Sequence, residues 1–302
     1  MNSIQKNIQR LDGFQRRHKP TAFMYAVIKK YGDDQAGYQA ALVTYYGFLS
    51  LFPLLLVLTT VAGIAGSRDP ELGGRLVDSV SSYFPVIGES LSDSVQGLNK
   101  GGLALVIGII FTLYGARGVA DAFRNAVNHI WHVPLAKRSG FPRSLLRSTA
   151  LIVGGGIGFL GASIIAGLTA AAGPGIFYRV ISVVGNLLIL YGVFTLVLRL
   201  SLPLKVPTKK FRIGAAVSAV GLTILQMVGS YILLNEAKTL SSYGALFATT
   251  LGLMAWIYLQ VQVVMYAVVI DTVRNTHAWP RSLSGQNLTP ADKRINERRE
   301  LI

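Results

Sequence analysis

The chain has 302 residues, of which 51% are hydrophobic and only 14% charged, with a mean hydropathy of +0.47. A soluble domain carries about 25% charged residues, so this chain cannot cover itself with enough charge for water and reads as an integral membrane protein. The formal net charge of +15 admits either nucleic-acid binding or basic residues gathered on one membrane face, and the absence of cysteine excludes disulfides, thiolate metal sites and cysteine nucleophiles.

No cleavable signal peptide is visible before residue 35, so the first hydrophobic run is expected to direct insertion. A bilayer core of about 30 Å needs about 20 helical residues. Six runs meet or approach that length, at 37–66, from 101 onward, and at 145–173, 178–200, 211–234 and 243–270. Few alternate apolar with polar residues, which argues against a β-barrel. The sequence therefore predicts an all-α polytopic membrane protein with six transmembrane helices. A basic segment (1–36) precedes the membrane domain (37–273), and a polar tail (274–302) follows it.

Between the first two spans lies an outer region, 67–100. Asp69-Pro70 reads as a helix start. Leu72, Leu76 and Val80, and then Ile87, Leu91 and Val95, repeat every four residues, which predicts two short amphipathic helices at the membrane surface. The second span is short and continues as an amphipathic helix. Val119, Phe123, Ala126, Val127 and Ile130 share one face, and Arg117 and Asp121 are spaced to pair on the other. In the tail, Thr289-Pro290-Ala291-Asp292 reads as a cap that starts a short polar helix.

The distribution of charge decides between the two readings of the basic excess. The segments between spans hold seven, three, six, one, five, one and six Lys plus Arg in chain order. High and low counts alternate without exception, so both termini are expected in the cytoplasm. The basic excess is thereby explained without a nucleic-acid partner.

Within the spans, two features stand out. The third carries Gly154, Gly158 and Ala162, then Ala166 and Ala170, four residues apart. The sixth carries Gly244, Ala248 and Gly252 in the same spacing. Small faces let helix backbones approach in lipid, either within one molecule or in a homo-oligomer. The second feature is a set of neutral polar groups, Tyr45, Tyr46, Ser50, Gln226 and Gln260, with Pro53 kinking the first span. They either tie helices together or line a substrate path. No Asp, Glu, Lys, Arg or His falls in the middle of a span, and Arg117, Arg199 and Asp271 sit at predicted ends. A pump coupled to a midplane carboxylate is disfavoured. His18, His129, His132 and His277 come with no further ligand set. His129 and His132 are expected to share a helix face, and neither a metal site nor a cofactor is assigned. No phosphate-binding glycine loop is present.

Several of these stretches resemble the YihY/BrkB family of bacterial inner-membrane proteins. The likeness rests on TYYGFLSLFPLLL (44–56), FRNAVNHIWHVP (123–134), Leu202-Pro203, FRIGAAVSA (211–219) and SYGALFATTLGLMAWIYL (242–259), and it spans roughly 22–273. The resemblance implies six transmembrane helices in the inner membrane. It also brings an old ribonuclease label, which this sequence does not support because it lacks a cluster of His and carboxylates for metal-assisted hydrolysis. In one place the chain departs from the family pattern. A Gly-Ala-Glu common near the end of the last span is here Tyr266-Ala267-Val268, with Asp271 the nearest carboxylate.

Two functions follow as expectations. One is a transporter or flippase of a lipid or amphipathic envelope component, with membrane lipids as its partners. The other is a non-catalytic membrane scaffold. The topology is tested by reporter fusions, which are expected to place Asp78, Ala172 and Lys238 outside and Lys137, Lys209 and Arg294 inside. A cytoplasmic signal at Asp78 would overturn it.

Overall fold

The computed structural model of the chain describes residues 12–51, 102–138, 140, 142–171, 175–203, 206–236, 245–283 and 288–299. No strand occurs among them. A short helical segment at 12–17 leads into α1 (Lys19–Asp33), and α2 is helical from 36 through 51. Then come α3 (Gly102–Ile130), α4 (Arg143–Ala171), α5 (Ile176–Ser201), α6 (Arg212–Glu236), α7 (Ala245–Asn275) and α8 (Pro290–Arg299). Among the described residues three stretches are long and apolar enough to cross a membrane: Ile176–Ser201, Thr208–Gly229 and Thr250–Asn275. The helices α3 and α4 have 29 residues each, about 44 Å at 1.5 Å per residue. Pro53, the outer 67–100 region and Gly244 lie outside the described residues.

The first helix, α1, has no counterpart in the sequence reading. Pro20 sits in its first turn, where the missing N–H costs nothing. Its buried positions Ala22, Ala26, Val27 and Lys30 fall on one face. That face packs on α7. Because alanine builds most of it and charges interrupt it, hydropathy alone does not reveal the helix.

The apolar core gathers at one end of the bundle. Ala36, Ala40 and Val43 come from the start of α2, and Ala126, Val127 and Ile130 from the end of α3. Leu198 closes α5, Phe211 precedes α6, and Met265, Val269 and Val273 close α7. The starts of some helices and the ends of others thus share one core, so successive helices run in alternating directions. Lys and Arg concentrate at this same end, called the basic end below. The apolar face read on the lower half of α3 is spent here, inside the protein.

Away from the basic end, glycines bring the helices together. A Cβ on Gly158 would lie 2.1 Å from Val193 Cγ2, and one on Gly154 2.7 Å from Leu196 Cδ2, so these two residues face α5. The seam between α6 and α7 is built the same way. A Cβ on Gly221 would lie 2.5 Å from Val263 Cγ1 and one on Gly229 2.2 Å from the Trp256 ring, while Gly214 closes the same seam against Asp271 at the basic end. Gly155, Gly156 and Gly252 face open space. The side chains of Ala162 and Ala248 lie outside the described residues.

The tail folds back onto the N-terminal segment. Arg281, 3% exposed, donates from Nε to Asp292 Oδ1 at 2.9 Å and from Nη1 to Asp33 Oδ2 at 2.7 Å. The predicted cap at Thr289 forms: the Asp292 N–H donates to Thr289 Oγ1, and Asp292 Oδ2 accepts the Thr289 N–H, both at 3.1 Å. Asp12 accepts the Leu283 N–H at 3.1 Å, Lys29 donates to the Ser282 carbonyl, and Trp279 meets Phe23 edge-on at 6.1 Å. Burial alone would raise the Asp292 carboxyl, but the hydrogen bonds from Arg281, Ser282 and Thr289 outweigh it and hold it at about 2.

Two outcomes are expected. Gly158→Leu should lower the yield of folded protein in detergent well below that of Gly156→Leu, because Val193 is β-branched and stiff while Gly156 meets nothing. Equal yields would mean that α4 and α5 do not close on Gly158. For the tail, a folded carboxyl held at about 2 against 3.8 stabilises docking by about 2 kcal/mol above pH 4, and that contribution is lost as pH falls towards 2. Trp279 fluorescence should report undocking over that window. Arg281→Gln should undock the tail already at pH 7. A pH-independent signal in the parent would contradict this linkage.

Candidate functional site

At the basic end, three buried ionisable groups meet where two helix ends are turned. The first helix stops at Asp33, and Gln35 takes a left-handed conformation (φ 50°) before α2 begins. The end of α3 is closed by a paired-hydrogen-bond cap: the His132 N–H donates to the His129 carbonyl and the Val133 N–H to the Asn128 carbonyl, both at 2.9 Å. His132 occupies the left-handed position, φ 51°, that glycine usually takes. His132 thus lies in the turn past the end of α3, and its ring reaches Asp34, whose charge His129 also feels. His132 Nε2 donates to Asp34 Oδ1 at 2.9 Å, and Lys30 Nζ lies 2.5 Å from Asp34 Oδ2. The Lys30, Asp34 and His132 side chains are 3%, 1% and 6% exposed. Burial pushes the Asp34 carboxyl up, but the bond from His132 and the charge of Lys30 outweigh it and hold it at about 2. Asp34 therefore stays ionised at any physiological pH. Burial lowers the pKa of His129, which favours the neutral ring.

A second polar cluster joins α3 to α4. Arg124 donates from Nη1 to Asp121 Oδ1 (3.1 Å), to the Ser144 carbonyl and hydroxyl (2.9 Å each) and to Ser148 Oγ (2.7 Å). Ser148 in turn donates to Asp121 Oδ1 at 2.5 Å. The expected pair of Arg117 and Asp121 forms at 3.5 Å, at the edge of this cluster. Asn128 donates to the Arg124 carbonyl at 2.7 Å and to Ser201 at the end of α5 at 3.3 Å. On α7, Asp271 is 1% exposed and its Oδ1 accepts the Gly214 N–H at 2.8 Å, so it caps the first turn of α6. A Cβ on Gly214 would lie 2.2 Å from Asp271 Oδ2, which explains glycine there.

The neutral polar groups read as path candidates divide between two seams. Tyr46 and Ser50 face α3: a Cβ on Gly118 would lie 2.7 Å from Tyr46 Cδ1, and one on Gly115 2.8 Å from Ser50 Cβ. Ser50 also donates to the Gly47 carbonyl at 2.8 Å. Tyr45 is 53% exposed and meets Tyr46 edge-on at 5.5 Å. Gln226 lies instead on the α5–α6 seam, where Asn186 Nδ2 donates to its Oε1 at 3.4 Å. Gln260 is half-buried on α7, three residues on from Ile257, which faces Gly47 of α2.

Sequence reasoning passed over Lys30, Asp34, His132, Arg124 and Arg281 as functional or structural centres. A partial signal existed, since Arg124, Asn128 and His132 all fall within FRNAVNHIWHVP.

Comparison with known proteins agrees with the fold. The Virulence factor BrkB family model matches residues 27–289. Inner membrane protein YhjD of Escherichia coli (strain K12) is 22% identical over 272 residues, covering 80% of this chain and 78% of its own. The UPF0761 membrane protein PsycPRwf_0630 of Psychrobacter sp. (strain PRwf-1) is 26% identical over 273 residues, 82% of this chain but only 47% of its own length. No solved structure matches. With the match reaching from the end of α1 to the capping turn before α8, the chain belongs to the Virulence factor BrkB family of membrane proteins.

Proposed function

We propose that the protein lies in the bacterial inner membrane with six spans and both termini in the cytoplasm, and moves a lipid or another amphipathic envelope component. The observation that supports this most is the uneven burial. Apolar packing, buried ion pairs and the docked tail all concentrate at the basic end. Towards the other end, the described helices touch mainly through glycine seams, and polar side chains such as Ser50, Asn186, Gln226 and Gln260 are only half-buried. A packed basic end, with half-buried polar groups along the described helices beyond it, suits a molecule with one polar part. Tyrosine rings can contact acyl chains while their hydroxyls bond a head group. Neutral groups hold a charged substrate without trapping it. The relative in Escherichia coli is named an inner membrane protein, which supports the location. No nucleotide-binding motif accompanies the helices, so the reading is of passive movement down a gradient, and it assigns no catalytic residue.

The test is movement of a labelled phospholipid between leaflets of sealed liposomes holding the purified protein. Parent protein should accelerate exchange over empty liposomes. Tyr45→Phe and Gln260→Leu should each slow it by about fivefold, the loss of one hydrogen bond of about 1 kcal/mol, with thermal stability near the parent. Stability falling in step with rate would mean that these residues only tie helices together. No acceleration by the parent would favour the scaffold.

A further inference from the structure

The α3–α4 cluster holds more positive charge than it uses. Arg117 and Arg124 share one carboxylate, Asp121, whose oxygens are already taken by Ser148, Arg124 and Arg117, and the charge of Arg147 reaches the same Arg124. Arg124 is 5% exposed, and while its Nη1 makes every bond described above, its Nε is buried with no hydrogen-bond partner. Arg147, beside Ser148 on α4, likewise has a buried Nη1 with no partner. The two guanidiniums feel each other: burial lowers the pKa of Arg124, Asp121 opposes this, and the charge of Arg147 adds to the lowering. Two guanidiniums within reach of each other's charge, each with a buried N–H that has no partner, call for an anion that accepts from both.

We propose that the seam between α3 and α4 at the basic end binds the phosphate of an anionic phospholipid, held by Arg124 and Arg147 with Arg117 at its rim. A guanidinium presents its N–H groups as a planar fork that matches phosphate oxygens. The apolar half of the ligand is met by the surface alongside. Leu113 and Tyr114 on α3 are 56% and 77% exposed, and Leu146 and Val153 on α4 are 72% and 53% exposed. Guanidiniums at the basic end of two helices that both carry bare apolar side chains reproduce the two parts of a lipid, a charged head group and apolar chains. Basic pockets between helices on the cytoplasmic side are suited to anionic head groups. A free phosphate would use the guanidiniums but leave the apolar surface unused. The site rests on the bilayer placement proposed above and not on transport, so a failed lipid-exchange assay leaves it standing.

The full chain in detergent micelles is the material for the test. Thermal unfolding is followed with added phosphatidylglycerol, phosphatidylcholine or inorganic phosphate, and retained lipid is counted by native mass spectrometry. Phosphatidylglycerol should raise the melting temperature and remain bound, whereas phosphatidylcholine and phosphate should do neither. Arg147→Gln should bind phosphatidylglycerol about tenfold more weakly, the loss of one charge-assisted bond, and Arg147→Lys should retain part of the affinity. Arg117→Gln, altered at a half-exposed side chain, gives a second reading should Arg147→Gln fold poorly, and it should weaken binding less than tenfold. Equal response to the two lipids, or undiminished binding in both Gln variants, would overturn the proposal. A shift by inorganic phosphate as large as that by phosphatidylglycerol would assign the site to a soluble anion and overturn the lipid.

Discussion

The buried carboxylate of Asp34 is the constraint on which the rest of the basic end depends. It sits at the corner between α1 and α2, and its two oxygens are spoken for by Lys30 of α1 and by His132 at the end of α3. The corner between α1 and α2 and the end of α3, nearly a hundred residues apart, are thereby fixed to one point. Burying such a set confers little net stability, since desolvation offsets most of the Coulomb gain. Removing one member is a different matter, because it strands a charge away from water at a cost of about 3–5 kcal/mol. The corner therefore acts on register. It sets where α1 crosses the bundle and holds His132 in a left-handed conformation costing of order 1–3 kcal/mol.

Membrane helices cannot rely on the hydrophobic effect to find one another, because lipid chains are as apolar as their side chains. This protein answers with two devices at two depths. At the basic end, next to water, it uses an ordinary apolar core sealed by ion pairs, and the docked tail adds a second ionic tie through Arg281. Further along, it uses glycine against a larger side chain: Gly158 on Val193, Gly221 on Val263, Gly229 on Trp256. A core held by burial and ion pairs is stiff. A seam held by dispersion alone separates more readily. Among the described residues, the buried core and its ion pairs thus belong to the basic end, and the glycine seams carry the helices beyond it.

The helices were legible because period and length carry them. The predicted 178–200 run became Ile176–Ser201, and 211–234 became Arg212–Glu236. The sixth predicted run continued past its expected end, as α7 through Asn275, with Asp271 kept inside the bundle where its Oδ1 accepts the Gly214 N–H. The capping turn at Thr289 was legible because its chemistry is local. The first helix was not, because alanines interleaved with Lys and Tyr give no hydropathy signal. Of the glycines, those four apart in the third span are visible in the sequence as a regular pattern, whereas Gly214, Gly221 and Gly229 escape because their wider spacing shows only once α7 is beside them. The ionic corner was invisible for a similar reason: Lys30 and Asp34 are an ordinary helix pair until His132 arrives from a residue nearly a hundred positions away.

The central claim is that the basic end is a seal held shut by the Asp34 corner. The chain contains no cysteine, so a single Val127→Cys substitution introduces one thiol inside the sealed core, at a position that is 0% exposed. Its reaction with a membrane-impermeant maleimide applied to the side of oriented vesicles that bears the basic end reads the seal directly. The account predicts no labelling in the otherwise parental chain and rapid labelling once Asp34→Ala is added. Ready labelling without Asp34→Ala, or the same slow rate with it, would contradict the account.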